Sequence, residues 1–319
     1  MTPDLLTDDA GRAADSLRRG GLVGLPTETV YGLAADAASE EAVARIFAVK
    51  GRPTDHPLIV HGADPAMLAD GWVADPYVAS DAFAVLAEAC WPGPLTLLVG
   101  RGARVLDAVN GGRPTVGVRV PAHPLTTAAL IDFGGAVAAP SANRFGKVSP
   151  TTAAHVVADL GALLDPTRDV VLDGGPATVG VESTIVDLTV RPPQVLRAGA
   201  IDAATVARLL DLRVADAAGP SRAPGMLTAH YAPRTQVLLA ESAAAADVAA
   251  AAQADFGRRV RVLDRTADLV AAARELYADL RAADDDRLDA LVVVLPPPDG
   301  IGHALRDRLT KAAAGSARP

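Results

Sequence analysis

The chain has 319 residues, 50% of them hydrophobic and 21% charged, with a formal net charge of −8 and a single cysteine, Cys90. This length suits two domains with packed cores, the lone cysteine excludes a disulfide framework and a thiolate-rich zinc site, and the negative charge argues against broad, non-specific binding of nucleic acids. A polar, acidic N-terminus and the lack of an apolar run long enough to span a bilayer favour a cytoplasmic protein without a membrane segment.

The first polar loop follows a helix predicted over residues 5–19 and a short apolar strand predicted over 22–25. This loop, PTETVYGL at residues 26–33, carries three hydroxyls and one carboxylate. Such side chains are typical of a ligand site at the carboxyl end of a strand. They are equally typical of threonines that cap a helix, and the loop alone does not decide between the two.

The densest group of basic residues follows a helix predicted over residues 39–49. Lys50, Arg52, His56 and His61 lie close together, among two prolines and an apolar strand. Two cations beside a loop that leads into a strand can hold an anion. A lysine at a helix end can instead complement the helix dipole, but that explanation leaves the second cation and the histidines unexplained.

Arg119 lies within an apolar strand predicted over residues 115–120, after a helix over 75–90 and a strand over 95–99. A charge in the middle of an apolar strand is costly unless it is paired. Arg119 is therefore expected either to form an ion pair inside the fold or to face the carboxylate of a ligand. The spacing does not distinguish these alternatives.

A second polar loop, SANRFGKVSPTT at residues 141–152, follows an extended apolar segment. Small residues, hydroxyls and a glycine before a helix that begins near Thr151 are typical of an anion cradle built from backbone N–H groups and hydroxyls. Ser149-Pro150 can equally be a cap and first-turn pair. The chain lacks the GxxxxGK[ST] and GxGxxG motifs, so a nucleotide site here must be of another type.

The rest of the first two thirds predicts a twisted mixed sheet. Strands are predicted over residues 170–173, 181–188 and 195–199, with Ser183 near the start of the second and Arg197 near the end of the third, followed by a helix over 202–210. No regular strand–helix–strand repeat is present, and this favours a mixed rather than a parallel sheet.

The last third predicts a linker followed by a small parallel α/β domain. Residues 213–233 are rich in Ala, Gly, Pro and Ser, which is typical of a linker, but a His-Tyr pair between prolines suggests that it closes over something. Beyond it, strands alternate with helices. The strands are predicted over 237–239, 260–263 and 291–295, and the helices over an alanine-rich stretch, 267–280 and 301–311.

The candidate functional side chains are mostly cations and hydroxyls. They are Lys50, Arg52, Arg119, Arg197, His56, His61, Thr27, Thr29, Ser141, Ser149 and Ser183. No Ser-His-Asp arrangement and no metal-binding histidine cluster stand out. Cations and hydroxyls without a protein nucleophile suit phosphate chemistry, in which catalysis is largely positioning and charge neutralisation. These residues therefore indicate an enzyme that binds a polyanion such as a nucleoside triphosphate.

Motifs along most of residues 20–233 resemble, in their order, the threonylcarbamoyl-AMP synthase family. They are PTETVYGL (26–33), KGRP followed by HPL (50–58), WPGPLT (91–96), VGVRVP (116–121), APSAN with SPT (139–152), ESTIVD (182–187) and PGM with HYAP (224–233). The resemblance implies an α/β protein with a twisted mixed-sheet YrdC-like catalytic domain over residues 1–211 and a small parallel α/β, Rossmann-like domain over 234–319. A linker over 212–233 would fold over the active site.

This resemblance also implies a reaction. The protein would be a nucleotidyltransferase that forms L-threonylcarbamoyl-AMP and pyrophosphate from L-threonine, bicarbonate and ATP. The product would pass to a tRNA threonylcarbamoyl-transfer complex for modification of tRNA, and a weak tRNA contact of this chain is left open. Mg²⁺ would bridge the phosphates with few protein ligands, and no metal-ligating side chain is predicted.

Site residues follow from the same resemblance. Lys50 and Arg52 match catalytic positions. The ATP side matches Lys50, Arg52, His56, Thr115, Ser141, Asn143, Ser149, Arg197 and Tyr231. The threonine side matches Thr29, His61, Arg119, Ala139 and Ser183, with Arg119 pairing the carboxylate of the amino acid. Residues 227–229, Leu-Thr-Ala, replace the basic, aromatic tripeptide that the family more often has, which predicts a weaker contact of the linker with the ligand.

Other functions remain open for a fold of this type. A nucleic-acid-binding module would bind RNA in a salt-sensitive way without ATP turnover, and the net negative charge argues against it. A carbamoyl-transfer domain, as in hydrogenase-maturation proteins, would be accompanied by zinc-finger and acylphosphatase-like regions, which this cysteine-poor chain lacks.

Overall fold

The chain forms a large mixed sheet and a small parallel sheet, seen in a computed structural model that describes residues 5–218, 223–224 and 230–317. Both sheets carry helices, and the fold is α/β as the sequence predicted. No helix within these ranges is long and apolar enough to cross a membrane.

The large sheet runs in the order β1-β8-β2-β3-β7-β4-β6-β5-β9-β10-β11. Its pairs are partly parallel, such as β4 with β6, and partly antiparallel, such as β5 with β6, so the predicted mixed sheet is confirmed. The strands are β1 (Leu6–Thr7), β2 (Val23–Leu25), β3 (Gly32–Asp36), β4 (Ile59–His61), β5 (Leu95–Gly100), β6 (Thr115–Arg119), β7 (Val137–Ala138), β8 (Val170–Leu172), β9 (Thr184–Asp187), β10 (Gln194–Arg197) and β11 (Ala215–Asp216).

Helices with side-chain caps connect these strands. Ser39 caps α2, as predicted, and its hydroxyl accepts a hydrogen bond from the Ala42 N–H. Gly51 ends α2 with φ 62°, a conformation that glycine adopts without strain. The helices are α1 (Ala10–Arg18), α2 (Glu40–Lys50), α3 (Pro65–Ala69), α4 (Asp75–Val78), α5 (Asp81–Cys90), α6 (Asp107–Asn110), α7 (Pro124–Phe133), α8 (Ala153–Leu160) and α9 (Ala203–Leu210).

Two helix predictions were wrong, one at an end and one in the middle. The first helix begins only at Ala10, because residues 6–7 pair with β8 as β1. The helix predicted over 75–90 is interrupted at Ser80, which caps α5. The helix predicted to begin near Thr151 is α8, which Thr152 caps, so the alternative that Ser149-Pro150 caps it was wrong.

The large core is built mainly from small aliphatic side chains, because the chain has few aromatic residues. Ile46 of α2 and Leu86 of α5 are fully buried in it with Val60 and Leu97 of the sheet, and Trp72 is its largest member. This packing fixes the strand ends from which the site residues project.

The small sheet is entirely parallel and has the order β12-β14-β13. The predicted alternation of strands and helices is thus confirmed. Its strands are β12 (Gln236–Ala240), β13 (Val260–Leu263) and β14 (Ala290–Val294), and its helices are α10 (Ala243–Asp255), α11 (Leu269–Asp285) and α12 (Gly302–Ser316).

The helices α11 and α12 pack against loops of the large sheet. One apolar cluster joins Val30, Val148 and Val181 to Leu276 of α11 and Leu305 of α12. Polar contacts reinforce it.

One of these polar contacts is an ion pair between α11 and α8. Arg281 of α11 donates through both terminal nitrogens to Asp159 of α8, at 3.0 and 2.7 Å. At Gly180 the backbone of the loop approaches α11 so closely that a Cβ would lie 2.3 Å from the Ala273 carbonyl oxygen. The small sheet is therefore fixed to the large one through α11 and α12.

Candidate active site

A cavity of about 850 Å³, its open mouth included, lies where strand ends of the large sheet meet the linker. Most of the residues assigned from the sequence line it: Thr29, Lys50, Arg52, His61, Arg119, Ala139, Ser141, Asn143, Ser183, Arg197 and Tyr231. Segments far apart in the chain are thus brought to one place.

His61 and Arg119 lie side by side because β4 and β6 are parallel neighbours. The two residues are partners in the register and end their strands. In α/β folds, ligands gather outside the carboxyl ends of strands. This register therefore places His61 and Arg119 at neighbouring strand ends, beside the same space.

Arg119 forms an ion pair inside the fold. Its Nη2 donates to Glu28 Oε1 at 2.6 Å and its Nε to the Gly93 carbonyl at 3.1 Å, while Glu28 Oε2 accepts from the Ala122 N–H at 3.0 Å. Of the two alternatives left open by the sequence, the ion pair is present, and the same guanidinium also lines the cavity. Glu28 thus fixes the direction of Arg119.

The His61 ring is neutral at ordinary pH. Burial, and after it the charge of Arg119, lowers its pKa to about 3. Its Nδ1 lies 3.0 Å from the Ile59 carbonyl oxygen. Because a carbonyl only accepts, Nδ1 carries the proton and Nε2 is left as an acceptor.

Ser183 and Arg197 are held together at the ends of β9 and β10. Arg197 donates from Nη2 to Ser183 Oγ at 2.9 Å and from Nε to the Ser183 carbonyl at 2.9 Å. Thr96 Oγ1 lies 2.7 Å from Ser183 Oγ on the other side. The hydroxyl and the guanidinium therefore form one rigid polar corner of the cavity.

Lys50 reaches away from the end of its own helix. Its amine donates to the carbonyls of Ser141, at 2.5 Å, and Asn143, which are in the second polar loop. The main contacts of Lys50 are therefore these two carbonyls, and not the end of its own helix. Burial, and after it the charge of Arg52, holds the pKa of Lys50 well below its usual 10.5.

Arg52 is a partly buried cation with an unused donor. Its Nη2 donates to the Pro57 carbonyl at 3.0 Å and its guanidinium lies 5.7 Å from the centre of the Phe145 ring. Burial lowers its pKa to about 10, so it remains charged. Its Nε is buried and has no partner among the described residues. Such an orphan donor at a cavity wall is suited to an anionic ligand.

Asn143 has an unused acceptor in the same wall. Its Nδ2 donates to the carbonyls of Arg144 and Lys147 at 2.8 and 2.7 Å. Its Oδ1 is buried and meets no donor within the part of the chain that is described. The second polar loop thus offers an acceptor as well as backbone groups.

The threonines of the first polar loop do not cap a helix, because the loop leads into β3. Thr27 Oγ1 donates to the Val30 carbonyl at 2.6 Å and lies 2.8 Å from Thr29 Oγ1. The capping alternative was therefore wrong. Thr27 instead stabilises its own turn and fixes Thr29 at the cavity.

Residues of the predicted linker line one side of the cavity. Pro224, His230 and Tyr231 line it, and the Pro224 carbonyl accepts from Arg197 Nη1 at 3.3 Å. Tyr231 is buried, stacks on Tyr277 with centroids 5.7 Å apart, and has φ 61°. The expectation for residues 227–229 falls outside the described residues.

Three assigned residues lie outside the cavity lining. His56 packs edge-on against Phe145, with ring centroids 5.3 Å apart. Thr115 begins β6 and so lies at the opposite end of that strand from Arg119, in a separate crevice. Ser149 is fully buried and donates to Glu182 Oε1 at 2.6 Å.

Glu182 and its partners were missed by the sequence analysis. Glu182 lines the cavity, and its other oxygen accepts from Tyr277 of α11 at 2.7 Å and Arg308 of α12 at 2.8 Å. A signal was present: Arg308 falls on the apolar face of α12, in register with Leu305 and Leu309. A charge on such a face requires a buried partner.

Metal-binding groups are absent from the described residues: no cluster of three or more His, Cys, Asp or Glu side chains could hold an ion. Glu182 already accepts three hydrogen bonds. A metal ion here would depend on oxygen atoms of a ligand.

Two family models together cover nearly the whole chain. One described as telomere recombination matches residues 15–199. The other, described as threonylcarbamoyl-AMP synthase, C-terminal domain, matches residues 196–314.

Relatives match over similar lengths. A threonylcarbamoyl-AMP synthase of Bacillus subtilis is 36% identical over 99% of this chain and 96% of its own length. One of Pyrococcus abyssi is 36% identical over 94% of this chain and 93% of its own. The crystal structure of P. abyssi Sua5 complexed with L-threonine is 35% identical, with a TM-score of 0.88 over 96% of this chain and 94% of that chain.

Proposed function

Because the chain belongs to the threonylcarbamoyl-AMP synthase family, we propose that it forms L-threonylcarbamoyl-AMP and pyrophosphate from L-threonine, bicarbonate and ATP. The family relation extends over nearly the full length of the curated relatives. It therefore favours the synthase over a nucleic-acid-binding module or a carbamoyl-transfer domain, because the relatives from B. subtilis and P. abyssi are both named threonylcarbamoyl-AMP synthase.

The observation that carries this proposal for the site is the unpaired Nε of Arg52. Arg52 lines the cavity, and this Nε is buried without a partner within the described residues. A buried donor of a charged group that is left unpaired is costly, so we infer that the site is built for an anion that arrives with the substrate. The triphosphate of ATP supplies that anion.

The ATP side extends from Arg52 along the second polar loop. Burial lowers the pKa of Lys50, and phosphate charge beside its amine would raise that pKa again. Ser141 and Asn143 would supply a hydroxyl and the free acceptor Oδ1, and Arg197 a second fixed guanidinium. Tyr231 would cover the nucleotide from the linker.

The remaining residues of the ATP side, His56, Thr115 and Ser149, would act from outside the lining. His56 would act through the Phe145 ring and Ser149 through Glu182. Thr115 would require the nucleotide to reach the neighbouring crevice, which Pro224 also lines.

The threonine side lies around the ends of β4 and β6. Arg119, which Glu28 orients, would pair the carboxylate of threonine with its remaining nitrogen. The unprotonated Nε2 of His61 would accept a hydrogen bond from the amino acid. Thr29, Ser183 and the backbone of Ala139 would complete this part of the site.

The reaction that these groups support needs no protein nucleophile. The threonine amine attacks the carbon of bicarbonate, a carbamate forms and water leaves. A carbamate oxygen then attacks the α-phosphorus of ATP, and pyrophosphate leaves. Lys50 and Arg52 are the proposed catalytic residues, since they would stabilise the charge that develops on the phosphates.

Mg²⁺ would be carried by the phosphate oxygens, because no metal-binding cluster is present within the described residues. It would neutralise phosphate charge, while the protein cations orient the chain of phosphates. We further propose that the product passes to a tRNA threonylcarbamoyl-transfer complex, and that the enzyme acts in the cytoplasm, where tRNA is modified. A weak contact of the chain itself with tRNA is compatible with this role.

The proposal is tested by pyrophosphate release. Purified protein should release pyrophosphate from ATP only when both L-threonine and bicarbonate are present, and mass spectrometry should detect threonylcarbamoyl-AMP. Equal release with L-serine, or without bicarbonate, would contradict the assignment.

The role of Arg52 has its own test. Arg52→Ala should abolish pyrophosphate release while circular dichroism and the melting temperature show a folded chain. Arg12→Ala, at an exposed position of α1, is the matched control and should turn over at the wild-type rate. An active Arg52→Ala variant would remove Arg52 from the catalytic group.

A further inference from the structure

Arg308 is a charged residue that the packing of α12 buries completely. Its side chain is 0% exposed, although it belongs to the small-sheet half of the chain. Its Nε donates to Glu182, its Nη2 to the Ala198 carbonyl at 3.0 Å and its Nη1 to Asp307. A cation this deep is retained only where its partners compensate for lost hydration.

Two of these contacts, those with Glu182 and Ala198, lead to the cavity. Glu182 lines it and precedes Ser183, and Ala198 follows Arg197. The guanidinium of Arg308 also lies 5.2 Å from the centre of the Tyr231 ring, a cation–π distance. One side chain of α12 thus contacts the backbone beside Arg197, the linker tyrosine and the carboxylate of the cavity wall.

Glu182 has the wrong charge for a triphosphate site. The proposed function places phosphates beside Lys50, Arg52 and Arg197, and a carboxylate in the same wall repels them. Here the carboxylate is fully engaged: Ser149 donates to one oxygen, and Tyr277 and Arg308 donate to the other. Burial by itself raises the pKa of Glu182, but Arg308 and then Arg197 outweigh this and lower it to about 2.

We propose that Arg308 is a positioning residue for the triphosphate site, which pairs Glu182 and thereby makes ATP affinity depend on the C-terminal α/β part of the chain. This inference rests on the proposed synthase function. Arg308 touches no substrate in this scheme. It acts by removing the repulsion of Glu182 and by holding Tyr231 and the backbone next to Arg197.

The test compares two arginines of α12. Arg308→Gln removes the charge opposite Glu182. Arg306→Gln removes an arginine that bonds Glu241, at 2.8 Å, and the Pro296 carbonyl, at 2.9 Å, both within the small-sheet half. The measurements are the Kd of a non-hydrolysable ATP analogue by calorimetry, and the KM values for ATP and for L-threonine.

Arg308→Gln should weaken analogue binding and raise the KM for ATP by about tenfold or more, because a buried carboxylate is left uncompensated near the phosphates. The KM for threonine should change by less than about threefold, since Arg119 and His61 lie at the ends of β6 and β4 and only Ser183 of the threonine side adjoins Glu182. Arg306→Gln should match the wild type in all three measurements.

A rescue separates charge from packing. The double variant Glu182→Gln with Arg308→Gln has no carboxylate to neutralise, so its ATP affinity should return to within about threefold of wild type. A merely structural role for Arg308 predicts no such recovery. Unchanged ATP affinity in a folded Arg308→Gln chain, or a double variant as weak as the single one, overturns the inference.

A more conservative variant tests the inference if Arg308→Gln does not fold. Tyr277→Phe removes one donor to Glu182 and keeps the charges, and it should raise the KM for ATP by about threefold, the cost of one hydrogen bond to a charged group shared among others. No change in that variant overturns the inference. A wild-type chain that binds the analogue but releases no pyrophosphate with threonine and bicarbonate refutes the synthase function alone, whereas one that binds no analogue refutes both.

Discussion

At the residue scale, burial decides the chemistry of His61. The pKa of this ring is lowered to about 3 in the folded chain, whereas an unfolded histidine titrates near 6.5. Below pH 6.5 the unfolded chain therefore binds a proton that the folded chain refuses. Stability from His61 is complete above pH 6.5 and is lost progressively as the pH falls toward 3.

This predicts a measurable slope in stability. Between pH 7.5 and 5, His61 should remove about 2 kcal/mol from the free energy of unfolding, measured by urea denaturation. His61→Asn keeps a donor for the Ile59 carbonyl and lacks the titration, so its loss over this range should be smaller by that amount. His303→Asn, at an exposed position of α12, should behave as wild type. Equal slopes in wild type and His61→Asn would refute the prediction.

The motifs predicted most of the cavity lining but not how each residue bonds. Lys50, Arg52 and Arg197 were identified as cations. Arg52 bonds the nearby Pro57 carbonyl, but Lys50 bonds carbonyls of the second polar loop and Arg197 bonds Ser183 and Pro224, and spacing cannot reveal these distant partners. Ser149 was assigned to the ATP side through the family resemblance, and its hydroxyl bonds Glu182. Which way a side chain turns depends on the neighbouring segment, and that information is tertiary.

At the element scale, the approach of α11 to residue 180 controls how the C-terminal helices dock. Gly180 has φ 84°, and a Cβ there would lie 2.3 Å from the Ala273 carbonyl. Gly134 has φ 74° with nothing within 4 Å of a Cβ. An alanine at residue 180 or at residue 134 would therefore have a strained backbone, but only the one at residue 180 would also clash with α11.

Gly180→Ala should consequently cost more than Gly134→Ala. Both variants carry a strain of about 1 kcal/mol at positive φ, and the first should lose about a further 2 kcal/mol as α11 is displaced. Gly180→Ala should also raise the KM for ATP, because Glu182 lies two residues on. Equal free energies of unfolding for the two variants would show that α11 moves aside at no cost.

Sequence pattern predicted most helices and strands, and failed where a distant partner decides. Residues 6–7 read as helix by spacing, but they pair with β8, which is remote in the chain. β11 (Ala215–Asp216) falls in the stretch predicted as a linker and pairs with β10. Two-residue strands have no periodicity of their own, so only the finished sheet identifies them.

At the scale of the whole molecule, the site belongs to both halves of the chain. The small sheet was predicted from its regular alternation, but its last two helices gave no chemical signal apart from Arg308. Their buried faces cover Val30, Val148 and Val181, all next to site loops. The domain limits at 211 and 233 remain predictions, and the contacts cross them.

Deletion of residues 212–319 should therefore impair the active site as well as remove the small sheet. The truncated chain loses Tyr231 and the donors Tyr277 and Arg308, and it exposes the apolar cluster. Pyrophosphate release should fall by at least about a hundredfold, given the loss of both positioning and closure, and gel filtration should show association through the exposed face. A monomeric truncation with undiminished turnover would contradict this.

The unprotonated ring of His61 also bears on the lifetime of the carbamate. Carbamates decompose to amine and CO₂ when they acquire a proton, and an enclosed site that withholds protons suppresses such side reactions. With a pKa of about 3, the His61 imidazole is neutral at neutral pH and offers no acidic proton. If the carbamate forms beside His61, as proposed, the same burial that makes the fold sensitive to acid would also protect this intermediate from decarboxylation.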